Sequence, residues 1–196
     1  MKHKYIEAFI ISIVCIIFII LCVLMATPAA AYDGDRITTA RQDALHEAAN
    51  ILRAAGYADD SAVIQEIKAE WWAEEEALNI TAKVIQNEAD PAWCDWEHSV
   101  AVGAVVQNRV KSDLFPNTTR EVVAQPGQYL ESYTRNFDGV SQLAYKAAKA
   151  ALDGDHNVPE DAYWQDNKVQ GKSIWKAFTV DTGWFHSTTY ICRGAY

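Results

Sequence analysis

The stretch Asn79-Ile-Thr-Ala-Lys-Val-Ile-Gln-Asn-Glu88-Ala89 decides how the chain around it folds. Thr81, Val84, Ile85 and Glu88 recur at i, i+3, i+4 and i+7, which is one face of a helix. Asn79 reads as an N-cap. The spacing predicts a short amphipathic helix over 79–88 whose core-facing stripe ends in a carboxylate. Burial and the negative end of the helix dipole both disfavour the ionised form of a group placed there. A carboxyl that keeps its proton is what a general acid needs. A glutamate that ends its helix and turns to water has the same spacing, so the rest of the chain has to decide.

Downstream, residues 89–96 form a loop containing Pro91 and Cys94. A stronger helix is predicted over 97–111, starting near Asp95 or Trp96. Its face of Val102, Val105, Val106, Arg109 and Val110 is apolar apart from the arginine. Gly103 inside it carries a propensity cost, which points to a close helix contact. Thr118 or Thr119 caps a short helix through Val122 and Val123. Gln125-Pro-Gly-Gln-Tyr129 is a loop with strong turn residues. Another helix is predicted over 141–152, closed by Asp153-Gly154. The remainder is rich in aromatic and β-branched residues, with short strands expected over 162–165, 177–180 and 189–192.

Upstream, a helix is predicted from Thr38 to Ala55, capped by Thr38 or Thr39 and ended by Gly56. A second is predicted from Asp59, Asp60 or Ser61 to Ala77. Together they read as an N-terminal helical segment over 32–77, a spacer or a hairpin. The chain begins with Lys2 and Lys4, continues with an apolar run over 8–25, and then has Ala29-Ala30-Ala31. That is the pattern of a signal peptide over 1–31, cleaved before Tyr32. The apolar run is also long enough for an uncleaved anchor. Either reading places the rest of the chain outside the cytoplasm.

Half of the residues are hydrophobic and the formal net charge is -9. No basic patch is present, which argues against nucleic acid as a partner. His46, His98, His156 and His186 show no paired zinc spacing, and there is no CxxC, so neither metal nor cofactor is expected. No nucleophile elbow, phosphate loop or dinucleotide glycine pattern occurs. Of the four cysteines, Cys15 and Cys22 belong to the leader. Cys94 and Cys192 remain, and a pair in an exported chain reads as one disulfide. Two separate thiols are the alternative. The surviving chemistry is a carboxylate site, Glu88, with Gln125, Gln128 and Tyr129 on a nearby polar loop. Amides and aromatics of this kind suit hydrogen bonding and stacking on sugars. A Gln128 that only ties down its own loop fits the same residues.

An ordered set of motifs joins these pieces: AKVIQNEA at 82–89, VAVGAVVQNRV at 100–110, FPNT at 115–118 and QPGQY at 125–129. In this order they resemble the SleB-type cell wall hydrolases, the family of spore-cortex-lytic enzymes. ALDGDHNVPEDAYWQ at 151–165 and TTYICRG at 188–194 also resemble a branch of that family, so the resemblance covers residues 78–196. It implies an α+β, mostly helical, lysozyme-like domain with a small β-sheet. It also implies cleavage of peptidoglycan glycan strands, with Glu88 catalytic; Gln125, Gln128, Tyr129 and Tyr163 are the residues expected to hold substrate. The chain departs from many relatives after the glutamate, where it has Asp90-Pro91-Ala92-Trp93-Cys94 instead of a glycine-rich segment. It departs again at Ile191-Cys192-Arg193-Gly194.

Hydrolysis of a glycosidic bond usually takes two carboxylates. One well-placed acid is legible here, and a second would be sought among Asp90, Asp95, Glu131 and Asp138. A lytic transglycosylase needs only one, so the resemblance favours 1,6-anhydromuramic ends. A hydrolytic muramidase, an N-acetylmuramoyl-L-alanine amidase and a non-catalytic peptidoglycan-binding protein are the rival readings.

Overall fold

The computed structural model describes residues 37–129, 134 and 139–194. The leader expected over 1–31 lies outside the described residues, as do Glu131 and Asp138. The fold is α+β and mostly helical, with a small three-stranded sheet. Five helices are described: α1 (Ala40–Ala54), α2 (Ala62–Glu88), α3 (Trp96–Lys111), α4 (Thr119–Val123) and α5 (Gln142–Asp153). The strands are β1 (Ala162–Asp166), β2 (Ser173–Asp181) and β3 (His186–Arg193), all antiparallel in the order β1-β3-β2. The chain divides into two compact units between Glu75 and Glu76.

In the first unit α1 begins with a capping box. The Thr39 side chain accepts from the Gln42 N–H, and the Gln42 side chain accepts from the Thr39 N–H. Ala48, Ala49 and Leu52 of α1 share a small core with Ile64 and Ile67 of α2. The Arg41–Glu70 pair, at 3.1 Å, lies on the surface, where such a pair adds little.

One expectation fails here. The two helices predicted over 59–77 and 79–88 are a single helix, Ala62–Glu88. Asn79 is not a cap. Its side-chain oxygen instead accepts a hydrogen bond from the Tyr145 hydroxyl of α5, at 2.9 Å. That contact satisfies the polar group that would otherwise compete with the helix backbone.

In the second unit α3 is the spine. Every residue from His98 to Arg109 is buried, so the helix is covered on all sides. Asp95 caps it by accepting from the His98 N–H at 2.7 Å. One side of α3 packs with the second half of α2 and with α5 around Val84, Ile85, Val102, Val106 and Ala147. The other side, through Ala101, Ala104 and Val105, meets Ala162, Phe178 and Ile191 of the sheet. Gly103 marks the closest approach. A Cβ there would lie 2.9 Å from the Ala151 Cβ and 2.9 Å from the Ile85 Cδ1. Thr118 caps α4 and Ser141 caps α5, while Gly154 closes α5 in the left-handed conformation at φ 76°.

Cys94 and Cys192, expected as a disulfide, are both free thiols in this structure. Cys94 packs against the helical core, whereas Cys192 is buried in the central strand β3. Burial, reinforced by the neighbouring Asp95 and Asp90 carboxylates, pushes the Cys94 thiol up to about 11. Since the thiolate is the reactive form, Cys94 should alkylate about a hundredfold more slowly near neutral pH than an ordinary cysteine. Timed alkylation with peptide mapping under non-reducing conditions checks this. A linked 94–192 peptide, or fast labelling at Cys94, would contradict it.

Candidate active site

The end of α2 is held from two sides. The Ser99 hydroxyl of α3 donates to the Ala89 carbonyl at 2.8 Å. The Gln86 side chain accepts from the Ser141 N–H at the start of α5, at 2.9 Å. Deeper in the helix, Gln107 of α3 donates to the Thr81 hydroxyl at 3.0 Å. The face of α2 read from the sequence is the buried one: Thr81, Val84 and Ile85 are fully covered. Glu88, the last residue of that stripe, emerges half-buried into a cleft.

The cleft has a volume of about 350 Å³. Besides Glu88 it is lined by Gly127, Gln128 and Tyr129 of the QPGQY loop. The end of β1 and the turn after it supply Gln165, Asp166, Asn167 and Gln170, and β3 supplies Ser187 and Thr189. Carboxylates, amides and hydroxyls therefore make up most of its wall. This is the complement of a ligand rich in hydroxyl and amide groups, each of which needs a partner when it leaves water.

Arg109 sets the position of the loop. It is 1% exposed. Its Nε donates to the Tyr163 carbonyl at 2.6 Å and its Nη1 to the Gln128 Oε1 at 2.6 Å. The guanidinium lies 5.3–5.4 Å from the rings of Phe115, Tyr129 and Trp164, within cation–π range. The adjacent Asn108 donates to the carbonyls of Pro159 at 2.7 Å and Ala162 at 3.1 Å. The Asn-Arg pair of α3 thus ties the start of β1 and the QPGQY loop to one helix.

Tyr129 is buried, and its hydroxyl donates to the Gln165 Oε1 at 3.3 Å. Burial raises this phenol to about 12, against the pull of Arg109 and with a contribution from the Glu88 charge. Tyr129 therefore stays protonated at neutral pH and acts as a donor, close enough to feel Glu88. The cleft brings Glu88, Gln128 and Tyr129 together. It does not include Gln125 or Tyr163. The Gln125 carbonyl accepts from the Gln128 N–H at 3.2 Å and shapes the loop. The Tyr163 ring stands against Phe115 at 5.5 Å, and its carbonyl binds Arg109.

The second carboxylate of the cleft is Asp166, which accepts from the Gln170 side chain. Of the acids first considered for that place, Asp90 accepts from the Ala92 N–H at 2.9 Å and Asp95 caps α3. Both carboxylates are engaged by their own backbone. Asp166 was not legible because only the fold of the sheet brings it to the cleft that Glu88 lines.

Among known families, the model for cell wall hydrolases matches residues 95–190. Residues 95–190 form a cell wall hydrolase domain. No curated protein and no solved structure matches it. As a cell wall hydrolase it is an enzyme that degrades peptidoglycan and acts at the cell envelope. The matched residues take in α3, the QPGQY loop and most of the sheet, so the hydrolase carries most of its cleft inside the match. Glu88 stands just before it.

Proposed function

We propose that the enzyme cleaves glycan strands between N-acetylmuramic acid and N-acetylglucosamine as a lytic transglycosylase, with Glu88 as its acid and base. The observation that carries this reading is a Glu88 carboxyl opening into a cleft walled by amides and hydroxyls. The Glu88 proton passes to the glycosidic oxygen, and the bond to the anomeric carbon breaks. The resulting carboxylate then takes the proton of the muramic 6-hydroxyl as that oxygen bonds to the anomeric carbon. That transfer leaves Glu88 protonated again, and the product is a 1,6-anhydro end. Gln128 and Tyr129 hold the sugars by hydrogen bonds at the cleft wall. Export through the leader would bring the enzyme to this substrate.

Asp166 supports a second reading, hydrolysis by a carboxylate pair. A reducing-end assay on purified sacculi separates the two. Transglycosylation solubilises the wall without freeing reducing ends, and Asp166→Asn retains the reaction. One reducing end per cut, abolished by Asp166→Asn, would make the enzyme a muramidase.

A further inference from the structure

The sheet is uneven in length. The last partners of β1 and β3 are Asp166 and Tyr190. Beyond them, among the described residues, β3 pairs only with β2, through Thr189, Thr188, Ser187 and His186. The β2–β3 hairpin therefore runs past the end of β1 as a two-stranded arm. One face of that arm is continuous with the cleft. Ile191 is buried against α3, and Thr189 and Ser187, two and four residues earlier on the same face, line the cleft. The next residue in that alternation is Phe185, and Trp184 stands beside it in the turn.

Trp184 is 100% exposed and Phe185 61% exposed. The turn that presents them is held by its own hydrogen bonds. The Thr182 N–H donates to the Phe185 carbonyl at 3.0 Å, and the Phe185 N–H to the Thr182 hydroxyl at 3.2 Å. The Gly183 N–H donates to Asp181 at 2.9 Å, and Gly183 has a φ of 78°. A bare tryptophan on an ordered turn costs solvation and is presented with little left to order on binding.

We infer that Trp184 and Phe185 form a distal stacking subsite for the glycan strand. A strand leaving the cleft along Thr189 and Ser187 reaches the tip after roughly 10 Å, at about 3.3 Å per residue. There its sugar rings stack on the exposed indole. The inference rests on glycan cleavage in the cleft and names where the same polymer continues. Charge separates this occupant from a phospholipid surface. Residues 177–192 contain no Lys or Arg, and the chain is at -9 overall, whereas docking on anionic lipid draws on basic residues.

The test uses full-length protein with Glu88→Gln, in non-ionic detergent, pelleted with purified sacculi over a range of concentrations. Adding Trp184→Ala should weaken binding about tenfold, as expected for an aromatic anchor. Trp184→Tyr should stay within about threefold of the parent, which a folding defect would not allow. Sacculus binding unchanged by Trp184→Ala overturns the inference. So does a loss confined to phosphatidylglycerol–phosphatidylcholine vesicles, which would make the tip a membrane contact. Persistent digestion of sacculi by the Glu88→Gln parent would instead refute the catalytic reading, and the binding comparison on intact sacculi in the cold would still stand.

Discussion

Glu88→Gln lowers the rate of sacculus solubilisation by about 10²–10⁴-fold, the usual worth of one positioned acid-base group. The amide has the size and hydrogen-bonding capacity of the carboxyl but no transferable proton. The fold should be unaffected. The end of α2 is held by Ser99 on the Ala89 carbonyl and by Gln86 at the start of α5, and neither contact involves the Glu88 side chain. Initial rates on turbid sacculi, alongside circular dichroism of the variant, check both halves. Turnover within a few-fold of wild type would remove Glu88 from the chemistry.

Arg109→Ala should destabilise the domain by about 3–5 kcal/mol. It empties a site lined by Phe115, Tyr129 and Trp164, at a cost typical of large-to-small core changes. It also strips donors from the Tyr163 carbonyl and the Gln128 side chain, and an unmet buried acceptor adds to the loss. For a domain of this size the melting temperature should fall by roughly 10 °C or more. Arg109→Lys should recover only part of this, because an ammonium cannot reproduce the planar fork that serves two acceptors at once. Thermal melts of the three proteins measure it. An alanine variant that melts with wild type would show that the arginine does not tie the loop to α3.

Local signals were legible in the chain. Thr39, Asp95, Thr118 and Ser141 each cap the helix that follows, and Gly103 sits where three helices converge. These features depend on a few neighbouring residues, so spacing exposes them. Asn79 misled because the hydroxyl that satisfies it comes from Tyr145, far along the chain. The same distinction divides the cleft. Glu88, Gln128 and Tyr129 sit in motif-bearing segments. Asp166, Gln170, Ser187 and Thr189 carry no spacing signal, since strand register and a loop bring them to the site. Gln125 and Tyr163 lie two residues from lining residues in sequence but serve the scaffold, Gln125 within its loop and Tyr163 at Arg109.

In the proposed reaction Glu88 works alone on the glycan bond, with the sugar's own hydroxyl as the attacking group. Digestion of sacculi in oxygen-18 water, followed by mass spectrometry of the released muropeptides, decides between that hydroxyl and water. Unlabelled fragments are expected, lighter than the hydrated ones by the mass of one water. Label at the reducing muramic end would mean that water attacks, and free stem peptides would mean that the glycan bond is not the target. Either result would rule out transglycosylation by Glu88.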